Sequence, residues 1–161
     1  MTGVLDRARV AAAGVLDPEL PVLTIEDLGV LRDVTIDEDA AVTVTITPTY
    51  SGCPALEVIE RDVATAVRAA GFDRVVVRRV LSPAWTTDWL TDDGRRKLAD
   101  YGIAPPARRT ADRPVLVTLS VRCPQCSSAD TSELSRFGST ACKALWRCNT
   151  CREPFDHMKA I

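Results

Sequence analysis

The chain opens with apolar residues at helical spacing. Val4, Leu5, Ala8, Ala11, Ala12 and Val15 share one face of a helix over residues 2–16. Asp17-Pro18 ends it, because a residue before proline avoids the α region. The period then falls to two. Residues 30–36 read as a strand and Asp37-Glu38-Asp39 as a polar turn. Val42, Val44 and Ile46 then alternate with Thr43, Thr45 and Thr47 in a half-buried second strand, which pairs with the first as an antiparallel hairpin. Helical spacing returns with the stripe Leu56, Ile59, Val63 and Val67. It predicts a helix over 54–70, with Pro54 at its first position and Gly71 as its C-terminal cap. Residues 73–80 read as a third strand, giving the order α-β-β-α-β.

Further along, Thr87 and Asp88 can start a helix over 88–101 that Gly102 stops. Gly94 inside it costs about 1 kcal/mol relative to alanine. Residues 104–114 hold two early prolines and no apolar period, and read as a linker. Val115–Leu119 and Lys143–Arg147 read as strands, each leading into a Cys-x-x-Cys turn. The expected fold class is therefore α/β (α+β). A small sandwich domain over 1–103 precedes the linker over 104–114 and a four-cysteine module over 115–161.

Composition narrows the function. Apolar residues make up 46% of the 161 and charged residues 26%, as in soluble globular proteins. No apolar run approaches the roughly 20 residues that span a bilayer. Asp6, Arg7 and Arg9 interrupt the start, so neither a signal peptide nor a membrane partner is expected, and a cytoplasmic location is. In that compartment paired cysteines bind metal more often than they form disulfides. Residues 115–161 carry six basic and four acidic side chains. Four thiolates on one divalent metal would add two negative charges and leave the module neutral, so no nucleic-acid partner is expected.

Cys123-Pro-Gln-Cys126 and Cys148-Asn-Thr-Cys151 stand 21 residues apart. Each turn aims two sulfurs at one point, and two turns supply a tetrahedron of soft ligands that suits one structural zinc, Zn2+, per chain. Iron in the same four-sulfur geometry and a dithiol redox pair are the alternatives. A 47-residue module has a small core, so metal binding would supply much of its stability. Cys142 belongs to neither pair and reads as a small buried hydrophobe, with an exposed thiol that contacts a partner or a metal cluster as the alternative. His157, the only histidine, reads as a surface side chain.

Cys53 lies between Gly52 and Pro54, at or near the start of the second helix. The partial positive charge and unpaired N–H groups of a helix N-terminus would lower its pKa. Thr47, Thr49, Tyr50 and Ser51 add hydroxyls nearby. No histidine is close in sequence, and G-x-S-x-G, P-loop and dinucleotide-binding glycine motifs are absent. No catalytic constellation is complete, and the chain reads as a non-enzyme.

Three stretches carry a resemblance: Asp17-Pro18-Glu19 with Pro21-Val22, Asp27-Leu28-Gly29, and Thr47 through Pro54. Through them the N-terminal part resembles the MIP18 family, also called the domain of unknown function 59. Ser82 through Trp89, Gly102-Ile103-Ala104-Pro105-Pro106, Phe137 through Lys143 and Glu153-Pro154-Phe155-Asp156 extend the match over nearly the whole chain. Together they resemble the D proteins of bacterial phenylacetate degradation, associated with ring-1,2-phenylacetyl-CoA epoxidase. The resemblance implies a maturation factor for iron-sulfur or di-iron centres, with Cys53 making transient contact with iron or an iron-sulfur cluster. It implies as partners the reductase and di-iron oxygenase components of the epoxidase and the iron-sulfur assembly machinery, and it admits a homodimer. Asp17, Glu19 and Asp27 would position iron or cap loops, the second being the simpler reading. Trp85 and Trp89 read as core or domain-interface residues, with a client-docking surface as the alternative.

Overall fold

The computed structural model describes residues 2–108 and 121–161. Its elements are α1 (Thr2–Ala13), β1 (Leu31–Ile36), β2 (Val42–Ile46), α2 (Leu56–Ala69) and β3 (Val75–Arg79). A 3-10 turn (Thr87–Trp89), α3 (Asp92–Asp100), β4 (Ile103–Ala104), β5 (Thr131–Ser135), β6 (Lys143–Cys148) and β7 (Pro154–Met158) follow. They group into two compact units, Met1–Trp85 with Trp89–Thr91, and Thr86–Asp88 with Asp92–Ile161.

The first unit has the expected α-β-β-α-β order. β1 and β2 pair antiparallel, with Val34 opposite Val44, and β2 and β3 pair parallel, with Val44 beside Val77. A parallel partner needs a crossover connection, and α2 supplies it. The apolar stripe of α2 is buried along its whole length. Glu60 on α2 grips the Arg79 guanidinium of β3 through two bonds of 2.8 and 2.9 Å. α1 packs on α2 and β1. Its cover starts at Ala8: Val4 and Leu5, expected on the buried face, are 45% and 38% exposed.

Much of this core comes from the loop between α1 and β1. Leu20, Leu23, Ile25, Leu28 and Val30 are all buried. Two carboxylates hold that loop. Asp17 Oδ1 accepts the N–H groups of Glu19 and Leu20 at 2.8 Å each. Asp27 Oδ2 accepts from the Thr24 N–H, while Thr24 Oγ1 accepts from the Asp27 N–H. Both acids therefore serve as loop caps. Trp85 is a core residue whose indole N–H donates to the Leu28 carbonyl at 2.8 Å. Trp89 is half-buried beneath the Arg32 guanidinium, whose carbon lies 3.6 Å from the ring centroid.

The helix expected over 88–101 is divided. The Thr91 N–H donates to the Asp27 carbonyl at 2.9 Å and so is diverted from a helical partner. α3 then starts at Asp92 and ends before Gly102, whose φ of +85° stops it as expected.

The second unit is a four-stranded sheet in the order β4-β7-β6-β5. β5–β6 and β6–β7 are antiparallel, and β4 lies parallel to β7. The division expected at 103/104 differs from the observed one. α3 groups with the ribbon, and Ala104, expected to open a linker, is a buried strand residue paired with His157. The two-residue strand takes up the edge of β7, a partner invisible from 104–114 alone. The expected strand Val115–Leu119 and residues 109–114 of the expected linker lie outside the described residues.

β7 also corrects the reading of His157 as a surface side chain. Ala144 is opposite His157, and Trp146 is opposite Phe155 two residues on, so His157 shares a sheet face with Trp146 and Phe155. Its ring meets Trp146 edge-on at 5.9 Å between centroids. Loss of water pushes its pKa down to about 4. The unfolded chain then binds a proton that the folded one does not, so stability is whole above about pH 6.5 and falls toward pH 4. After discounting for partial exposure, wild type should lose about 1 kcal/mol more between pH 7 and pH 5 than His157→Gln. Urea midpoints at the two pH values read the difference, and equal losses would refute it. Thiolate protonation affects both proteins alike and cancels.

Candidate functional site

The two Cys-x-x-Cys turns are built alike. The Cys123 N–H donates to the Ser128 carbonyl, and the Ser127 N–H to the Cys123 carbonyl, at 3.0 and 2.9 Å. The Cys148 N–H donates to the Glu153 carbonyl, and the Arg152 N–H to the Cys148 carbonyl, at 3.0 and 3.1 Å. The fifth residue of each turn is left-handed, Ser127 at φ +61° and Arg152 at φ +70°. Neither is glycine, so each carries a strain of roughly 1 kcal/mol. No glycine marked these positions in the sequence, and the turn geometry became legible only in the fold.

The structure brings together all four expected ligands. Their sulfurs lie within 4.8 Å of one another, with Cys123 and Cys151 3.7 Å apart and Cys126 and Cys148 3.5 Å apart. A tetrahedral ion with metal–sulfur bonds of about 2.3 Å sets its sulfurs about 3.8 Å apart, so the cage fits one ion. Cys123 and Cys148 are buried among Val121, Ala144, Trp146 and Phe155, whereas Cys126 faces solvent. The Cys151 N–H donates to Cys148 Sγ at 3.4 Å and, against the loss of water, pulls that thiol down to about 6. At Cys151 the Glu153 N–H favours the anion, but loss of water and the Cys148 sulfur push the thiol up to about 12. Four adjacent sulfurs cannot all ionise unaided, and a divalent cation at their centre removes the conflict. Cys142 stands apart, buried as expected, with its sulfur 3.1 Å from Thr140 Oγ1.

In the first unit, Cys53 sits half-buried in the turn before α2. Its N–H donates to the Tyr50 carbonyl and its carbonyl accepts from the Leu56 N–H, both at 3.2 Å. The helix starts at Leu56 with Ala55 as cap, so Cys53 lies two residues before the cap. The expected lowering of its pKa is reversed. Burial pushes the thiol up. The Ala55 N–H and the Thr49 hydroxyl pull the other way, while the Glu19 and Asp17 carboxylates raise it further. The reason is tertiary: packing takes water from the sulfur, and the loop after α1 also brings Glu19 and Asp17 within its electrostatic reach.

An α/β domain with a half-buried thiol at the mouth of its second helix, joined to a four-thiol ribbon, defines a two-module metal-handling protein. A family model described as an iron-sulfur cluster assembly protein matches residues 6–77, and the PaaD zinc beta ribbon domain matches residues 108–159. A putative D component of the 1,2-phenylacetyl-CoA epoxidase from Escherichia coli K12 is 52% identical over 145 residues, 90% of this chain and 86% of that one. The chain belongs to this family of epoxidase D proteins. An Fe-S protein maturation auxiliary factor from Porphyromonas gingivalis is 35% identical over 85 residues, 52% of this chain and 80% of its own. The crystal structure of a domain of unknown function 59 from Bacillus anthracis superposes with a TM-score of 0.56 at 27% identity, over 60% of this chain and 92% of its own. No helix among the described residues is long and apolar enough to cross a membrane.

Proposed function

We propose that this chain is a non-catalytic auxiliary factor that matures an iron centre of the phenylacetyl-CoA epoxidase system. Cys53 makes transient contact with the iron or iron-sulfur cargo, and Cys123, Cys126, Cys148 and Cys151 hold one structural zinc. The observation that carries the reading is the joining of an iron-sulfur assembly domain to a four-thiol ribbon, matched along 90% of the chain by an epoxidase D protein. A closed four-sulfur site is the form structural zinc takes, since no position is left for a substrate. A thiol kept protonated by burial and two carboxylates suits a contact that forms only when a cation displaces its proton. The partners are the reductase or di-iron components that receive iron, and the assembly machinery that supplies it.

The relative's description as an epoxidase component favours a second reading, a stable structural member of the epoxidase complex. Purification with the oxygenase components at fixed stoichiometry through gel filtration would support it over a transient role.

The central test is anaerobic purification of wild type and Cys53→Ala from iron-supplied cells, with metal analysis and visible spectra. One zinc per chain is expected in both, with a labile iron chromophore in wild type alone. Zinc in both and iron in neither would refute cargo contact at Cys53 and leave an adaptor that recruits the client to another iron donor.

A further inference from the structure

The Phe137–Lys143 segment is prominent in the sequence but takes no part in the metal site. Phe137 is 75% exposed, the most exposed large apolar side chain among the described residues. It is held firmly. Its N–H donates to Ser135 Oγ at 3.1 Å, and the next N–H, of Gly138, donates to the Lys143 carbonyl at 2.8 Å. Gly138 is packed so closely that a Cβ there would lie 3.1 Å from both Asp156 Oδ1 and the Lys143 Cβ. Lys143 is itself buried, with its ammonium 3.4 Å from Asp156 Oδ2. The turn is thus fixed from below while its aromatic ring points outward.

One cation lies over that ring and a second adjoins it in the chain. The Lys159 ammonium stands 5.3 Å from the ring centroid and donates to the Arg136 carbonyl at 2.9 Å. The Arg136 guanidinium is 87% exposed and 3.8 Å from Glu133, a loose surface contact. Leu134, 54% exposed, adds apolar surface on the preceding strand. An exposed aromatic ring on a fixed turn, beside one exposed and one half-buried cation, is a composition suited to an interface anchor, because little backbone freedom remains to be lost on binding. Its charge selects the partner. Apolar burial requires a pocket, and Arg136 and Lys159 require carboxylates around it.

We infer that Phe137, flanked by Arg136 and Lys159, is the anchor by which the ribbon unit docks on an apolar, carboxylate-rimmed pocket of the client protein. The inference rests on the maturation reading and names the surface through which the client is held. The test places a photo-crosslinking phenylalanine analogue at position 137, and separately at exposed Val76 of the first unit, in the full chain within cells that make the epoxidase components. Adducts are identified by mass spectrometry. The expected result is an adduct between position 137 and one component of the epoxidase system, its yield lowered at least tenfold by Arg136→Glu with Lys159→Glu. Unchanged zinc content in that variant shows that the ribbon is intact. Client adducts at position 76 alone, or adducts at 137 indifferent to charge reversal, would overturn the anchor and leave the maturation role standing. Adducts at neither position, with iron absent from wild type as well, would overturn both. Adducts at neither with iron retained would overturn the anchor alone.

Discussion

Cys148→Ser is expected to abolish metal retention and unfold the ribbon unit while the α/β unit stays folded. Cys148 ends β6, is fully buried, and lies in the core cluster with Val121, Ala144, Trp146 and Phe155. Structural zinc in comparable small modules contributes roughly 10–16 kcal/mol of apparent binding energy. That is comparable to the whole net stability of a typical domain, about 5–15 kcal/mol, before any loss of packing is added. Serine replaces a soft ligand with a hard one and leaves a buried hydroxyl. Hydrogen exchange separates the units: amides of β5–β7 should lose protection and those of β1–β3 keep it. A strong chelator should give the same pattern in wild type. Cys126→Ser, at the exposed ligand, should lose the metal with less damage to packing. Retained β5–β7 protection in metal-free Cys148→Ser would show that the ribbon core stands without its ion.

The second large effect belongs to Gly29→Ala. Gly29 has φ +69°, where a Cβ costs about 1 kcal/mol or more. A Cβ there would also lie 2.5 Å from the Trp89 carbonyl oxygen and 2.6 Å from the Trp89 Cβ. Backbone cannot swing aside as a long side chain can. The clash would spread to the Trp89 stack on Arg32 and the bond from Thr91 to Asp27. The expected loss is about 3 kcal/mol or more, in the range of overpacked and strained sites. Gly71→Ala is the control. Gly71 has φ +93° but nothing within 4 Å of its would-be Cβ, so only the conformational cost of about 1 kcal/mol applies. Urea unfolding followed by tryptophan fluorescence compares the two. Equal midpoints would mean that the Trp89 approach adds nothing.

The elements most legible in the sequence were those with a strong local period. The α2 stripe Leu56, Ile59, Val63 and Val67 is buried as its period requires, and so are Val42, Val44 and Ile46 of β2. Thr45 and Thr47 are buried as well, so this strand, central in its sheet, is not half-exposed as its alternation predicts. The four ribbon cysteines were equally legible, because Cys-x-x-Cys spacing brings its sulfurs together locally and the two turns then need only to meet. β4, β5 and β7 were not. Ile103-Ala104 is too short to show a period, and Thr131–Ser135 has one apolar residue, Leu134, and no buried face. His157 was misplaced for the same reason, since its burial depends on β7 lying between Ala104 and Ala144.

Local pattern by itself determined the α-β-β-α-β order, the ribbon and its four thiols, because period and ligand spacing are properties of neighbouring residues. Only the tertiary structure decided that Asp17 and Glu19 reach Cys53 and raise its pKa, that α3 groups with the ribbon, and that Trp89 closes over Gly29. Each of those depends on where distant segments meet, and desolvation, charge and steric contact act through space.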